Sequence, residues 1–305
     1  MSASQPQVGR PTASQTDGNP RSGEDMAFHF VQALAAELSG GKVELPGFPH
    51  VVLRVQRVLS DVKADASRIV QVIGGEPVLS AQLMRMANSA ALNPARTPVT
   101  DLKAAVARVG LDSVRTATIA CAVQQLRAAP QLRGLERQLD ALWQRSILVA
   151  SLCHVIATRL TRVNPDTALL AGMLQGIGKL YILTRASGHR ALFSDEASYQ
   201  AIEHDWHLSI AAALLENWGF GDEIVQAVHD SESAERDLRG SVGLTDVLAV
   251  GVLLAEHHSH PHVIKAQVNS AKLLQRLQLN EAACESFIAD SAQAINALRE
   301  ALGGG

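Results

Sequence analysis

Aromatic residues are scarce: Phe, Trp and Tyr make up only 4% of the 305 residues, although 47% are hydrophobic. A core without large rings must be filled by Ala, Leu, Val and Ile, and such side chains suit closely packed helices. Cysteine is nearly absent as well. Cys121, Cys153 and Cys284 are odd in number and far apart, which excludes a disulfide framework and a paired-Cys zinc site. They read as small buried apolar residues in a reducing cytoplasm. There is no Lys/Arg run, the formal net charge is -3 and the pI is near 6.4, so nothing favours nucleic acid as an obligate partner. No uninterrupted apolar run reaches membrane-spanning length. The stretch Leu169 to Leu183 is broken by Gln175 and Lys179, and Val247 to Ala255 is too short. Residues 1–25 lack the apolar segment of a secretory signal and read as a disordered tail. A soluble, cytoplasmic protein without membrane contact is expected.

What the chain does contain is helical periodicity with clear punctuation. Phe30, Val31, Leu34 and Leu38 share one helical face, stopped at Gly40 and Gly41. Pro49 suits a first helical turn, and Val52, Val55 and Leu59 form a stripe behind it. Further helices are expected from Ser67 to Ile73, from Leu79 to about Leu92, from Asp101 to Val109 and from Asp112 through Leu126, with Gly110 separating the last two. Beyond Gly134 the pattern gives helices from about Leu135 to Leu160, from Ala168 to Leu183, around Leu208 to Leu215, from Ile224 to His229 and from Leu244 to His257. Two more follow after Pro261. No strand ladder is visible. The fold class is all-α, a two-lobed helical bundle: tail 1–25, an N-terminal helical lobe 26–130, a second helical lobe 131–262, and C-terminal helices with a flexible end over 263–305.

Several strings then combine. Leu45-Pro46-Gly47-Phe48-Pro49 opens a helix, and Glu76-Pro77-Val78-Leu79 leads into a helix ending in Ala87-Asn88-Ser89. With Ala104 to Gly110 and Trp143, these resemble the HDOD family, over roughly Leu45 to Glu256. Glu76 stands where that family usually has Asp, and either acid can cap the turn. Asn88 and Ser89 read as polar helix-end groups that bond backbone.

The resemblance implies a scaffold related to the HD phosphohydrolases, in which a His, a His-Asp pair and a later Asp hold the divalent metal that activates water. The matching positions here have lost those ligands. Arg145 replaces the first His, Gln175-Gly176 replaces the His-Asp pair, and no acid occupies Val250 to Val252, Asp246 being the nearest. No metal or other cofactor and no catalytic residue are therefore expected. The resemblance implies a non-catalytic regulatory role in bacterial signal transduction, exercised on partner signalling proteins, and leaves partner identity and oligomeric state open.

Six residues are candidates for a remnant pocket: Arg145, Gln175, Gly176, Lys179, His207 and His229. For His207 and His229 the alternative is a pair of partly buried histidines bonded to backbone. Arg145 and Lys179 suit an anion such as a nucleotide phosphate; alternatively Arg145 fills the vacated space and pairs with a neighbouring acid. Two competing functions follow. One is a phosphohydrolase with rearranged ligands His207, His229 and Asp246, and the other is a nucleotide sensor using Arg145 and Lys179. Two further features have structural readings. Gly172, Gly176 and Gly178 lack the preceding strand of a phosphate loop and are expected to permit close helix contact. The histidines from His257 to His262 suit a solvated helix end better than a metal tract.

Overall fold

The computed structural model describes residues 23–40, 43, 45, 50–61, 66–93, 95–189, 192–193, 195–233, 240–257 and 268–303. Among them there are helices, turns and no strand, as the all-α reading requires. The first helix, α1 (Gly23–Ser39), already includes three residues assigned to the disordered tail; the rest of that segment lies outside the described residues.

Four helices build the first lobe: α2 (His50–Ser60), α3 (Ala66–Gly74), α4 (Pro77–Asn88) and α5 (Leu102–Arg127). Pro77 starts α4 at the position where a missing N–H costs nothing. The helix stops at Asn88, four residues short of the expected end, because the Asn88 side chain turns outward to bond the Val99 N–H and C=O, both at 2.9 Å. The Asp101 carboxylate caps α5 by accepting from Ala104 N at 2.8 Å. Gly110 interrupts α5 with a left-handed φ of 78°, so the two-helix reading of this stretch holds. α2, α3 and α4 all pack on α5.

The second lobe comprises α6 (Glu136–Leu160), α7 (Pro165–Leu174), α8 (Ile177–Ala186), α9 (Glu196–Asn217), α10 (Asp222–His229) and α11 (Leu244–Glu256). Asn164 caps α7 by accepting from Asp166 N at 2.8 Å. The expected single helix from Ala168 to Leu183 is corrected here: it divides at Gln175 and Gly176. Each half makes one close approach to a neighbouring helix. A Cβ on Gly172 would lie 2.6 Å from Ala150 Cα of α6, and one on Gly178 would lie 1.8 Å from the His207 carbonyl of α9. These two glycines serve close helix approach, as expected. α9 begins well before Leu208, at a cap formed by Asp195; its first turns carry Tyr199, Ile202 and Trp206 at helical spacing, a stripe the sequence reading passed over. By length and composition Glu136–Leu160 and Pro165–Ala186 each contain an 18-residue window apolar enough to span a membrane, of which 56% and 89% is buried within the fold.

Three contacts join the parts. At the junction of α5 with α7, the Thr167 hydroxyl donates to Asp112 Oδ2 at 2.7 Å and the Ser113 hydroxyl to Asp166 Oδ1 at 3.1 Å. Arg115 pairs with Asp112 at 2.6 Å and donates to Gln56 Oε1 of α2 at 3.2 Å. α1 packs on α9, with Glu37 accepting from Tyr181 and pairing with Arg185. α12 (Val268–Arg276) rests on α11, and α13 (Glu281–Leu302) runs along α6 and reaches α4. There Trp143 Nε1 donates to the Gly303 carbonyl at 3.3 Å.

Candidate functional site

The tight crossings of α6 with α7 and of α8 with α9 bring most of the sequence-derived candidates to one place. Gln175 ends α7 and is 2% exposed. Its amide donates to Glu232 Oε1 at 2.6 Å. One turn further on, Lys179 Nζ lies 3.3 Å from Glu203 Oε1 of α9. His207, one turn after Glu203, is 1% exposed. Its Nδ1 lies 2.8 Å from the Glu203 carbonyl, and its Nε2 lies 3.3 Å from Glu232 Oε1. At the rim, Arg145 pairs with Glu256 at the end of α11, 3.0 Å away.

Glu232 is the hub. Burial pushes its carboxyl up, but the hydrogen bond to His207 and the charges of His207, Lys179 and Arg145 outweigh it, and its pKa is lowered. The sequence reading missed Glu232 and Glu203. Glu203 was accessible through its one-turn spacing to His207; Glu232 sits in a polar turn after α10 with no periodicity to mark it.

The remaining candidates are engaged elsewhere. His229 is exposed and its Nδ1 faces Asp230 Oδ1 at 2.7 Å. Asp246 accepts from the Gly243 amide at 3.0 Å and from Arg276 at 2.9 Å, so it caps α11. The set His207, His229 and Asp246 is thus divided among three separate interactions. Gly176 contributes space only: a Cβ there would lie 2.7 Å from Ser146 Oγ. His257 follows α11 as its C-cap, and the other histidines of that run lie outside the described residues.

A dication does not fit these residues. Where ligands would be needed there are a guanidinium, an amide and a glycine with no room for a side chain. On α11, Gly251 passes so close to α6 that its Cβ would lie 2.4 Å from Cys153 Sγ. Among the described residues no three His, Cys, Asp or Glu side chains form a group able to hold a metal ion.

Comparisons with known proteins agree with the architecture. The HDOD domain family matches residues 45–234, ending somewhat before Glu256. A candidate metal-dependent phosphohydrolase from Shewanella amazonensis SB2B is 21% identical, with a TM-score of 0.70 over 91% of this chain and 99% of that one. An HDOD domain protein of unknown function from Geobacter sulfurreducens is 22% identical, with a TM-score of 0.60 over 91% and 98%. An uncharacterized protein of Treponema pallidum is 23% identical over 210 residues, which cover 64% of this chain and 39% of that protein. The chain therefore spans well under half the length of that relative. At these identities the solved structures establish a shared fold, and the match over 45–234 establishes more: this chain is a member of the HDOD family.

Proposed function

We propose that this chain is a non-catalytic regulatory protein of bacterial signal transduction, which acts by presenting its helical surface to partner signalling proteins. One observation carries the reading. Where the resemblance places the metal, Arg145 is matched by Glu256 and Lys179 by Glu203, and His207 faces a third carboxylate, Glu232. Water activation needs a centre of excess positive charge. Here each fixed positive charge has its own carboxylate, and the cluster holds no excess of positive charge to polarise a phosphoester.

The same balance weighs against a nucleotide sensor, since a phosphate entering this cluster must first displace Glu203 or Glu256. It also supports filling, rather than ligand binding, as the role of Arg145. The test is metal loading. Full-length protein dialysed against Mn²⁺ or Zn²⁺ is expected to retain far less than one equivalent by elemental analysis and to leave a generic phosphodiester unhydrolysed. Stoichiometric metal accompanied by turnover would overturn the proposal.

A further inference from the structure

His207 is surrounded by acceptors. A backbone carbonyl cannot donate, so the 2.8 Å contact of Nδ1 with the Glu203 carbonyl requires a hydrogen on Nδ1. The other nitrogen, Nε2, faces Glu232 Oε1 at 3.3 Å. That oxygen also accepts from the Gln175 amide at 2.6 Å, and the lowered pKa of Glu232 favours its carboxylate form. A second ring hydrogen, on Nε2, would satisfy that carboxylate oxygen and make the ring an imidazolium.

The position of Glu232 gives this charge a mechanical role. It lies in the turn after α10, where Ser231 Oγ donates to the Val228 carbonyl and Ser233 N to the Asp230 carbonyl, bonds that shape the turn locally. Glu232 instead reaches out to α9 and to the break between α7 and α8. We propose that His207 and Glu232 form a proton-dependent latch, which fastens residues 230–233 to α9 and the α7–α8 break and opens when His207 loses its Nε2 proton.

The surrounding charges determine which partner titrates. From α8, Lys179 faces the cluster and is paired with Glu203 of α9. From α6, Arg145 adds its charge and is paired with Glu256 of α11. His204 of α9 contributes its carbonyl, 3.2 Å from Nδ1. On α10 and the turn, His229 and Asp230 pair with each other at the surface. The cations keep Glu232 ionised, its pKa being already lowered. On an alkaline excursion it is therefore His207 that changes state. Its Nε2 lone pair then faces Oε1, two acceptors oppose each other, and the partly buried carboxylate keeps the Gln175 amide while losing its charged donor. The turn gains by moving Glu232 into water. A partner reading this surface would meet two forms of it.

The latch rests on the metal-free reading of the cluster, because a metal on His207 would take the same nitrogen. The experiment separates the two. In the full ¹⁵N-labelled chain, the His207 ring nitrogens and the amide protection factors of residues 230–233 are followed from about pH 5.5 to about 9.5, with and without Zn²⁺. Both nitrogens are expected to be protonated at the low end. Loss of the Nε2 proton should coincide with an about tenfold fall in protection over 230–233, with α11 unchanged. His207→Gln should abolish that pH step. A neutral ring throughout, protection that does not vary with pH, or a step surviving in His207→Gln would overturn the latch. If the variant does not fold, the wild-type titration decides by itself. Saturable Zn²⁺ shifts on His207 would instead overturn the regulatory proposal.

Discussion

At the junction of the lobes, Asp112 is met by Arg115 from its own helix and by the Thr167 hydroxyl from α7. Inside the second lobe, Glu232 is met by His207 and Gln175 and feels the charges of Lys179 and Arg145. Both are partly buried polar networks, yet their acids respond in opposite senses. Asp166 at the junction is raised by burial, against the Ser113 hydrogen bond and with the Asp112 charge adding to the rise. Glu232 is lowered. The junction retains an acid that burial destabilises. The cluster matches each charge, as a filled cavity must.

The strongest way to break the comparison is to remove the frame that holds the cluster. Gly178→Ala places a methyl 1.8 Å from a backbone oxygen, which no side-chain motion relieves. A loss above about 4 kcal/mol, or no folded protein, is expected in urea unfolding. Gly176→Ala meets only the Ser146 hydroxyl, at 2.7 Å. It should lose about 1–3 kcal/mol and recover most of that when combined with Ser146→Ala. Failure of that rescue would show that the crowding lies in the backbone.

The next test sharpens the comparison through pH. A carboxyl whose pKa is lowered by folding contributes stability above its unfolded pKa and loses it as pH falls through the folded value. A carboxyl whose pKa is raised contributes below its unfolded pKa and loses that contribution as pH rises through the folded value. Glu232→Gln should therefore be less stable than wild type at pH 7 and Asp166→Asn more stable, each by on the order of 1 kcal/mol. Both differences should narrow, from opposite sides, as the pH falls below the ordinary carboxyl range. Thermal unfolding across this range reads it directly. Two differences of the same sign at neutral pH would dissolve the distinction between the networks.

Much of this was visible in the residues themselves. Asp101 and Gly110 punctuate helices by local chemistry, so their positions could be read without knowing the fold. Gln175, Lys179 and His207 emerged from the family pattern. Their acidic partners did not, because Glu232 is joined to His207 only by the way α10 returns over α9, and an acid in a polar turn looks the same whether solvated or buried. The α7–α8 break was missed for a related reason: Gln175 and Gly176 sit in an apolar run, and the departure from helix there is slight, Gln175 keeping helical φ and ψ.

The smallest effect is expected at the rim. Arg145 and Glu256 are 28% and 45% exposed along their side chains, unlike His207 at 1%. An exposed pair gains little from its Coulomb energy, because water screens it and two long side chains must be held still. The Arg145→Gln and Glu256→Gln double-mutant cycle should give a coupling below about 1 kcal/mol, shrinking further between low and high salt. The corresponding cycle for His207 and Glu232 should exceed it and resist salt, since burial excludes the counterions that weaken the outer pair. A large, salt-insensitive coupling at Arg145 would mean that its guanidinium is fixed within the cluster and that the former metal position is closed by charge as firmly at its edge as at His207.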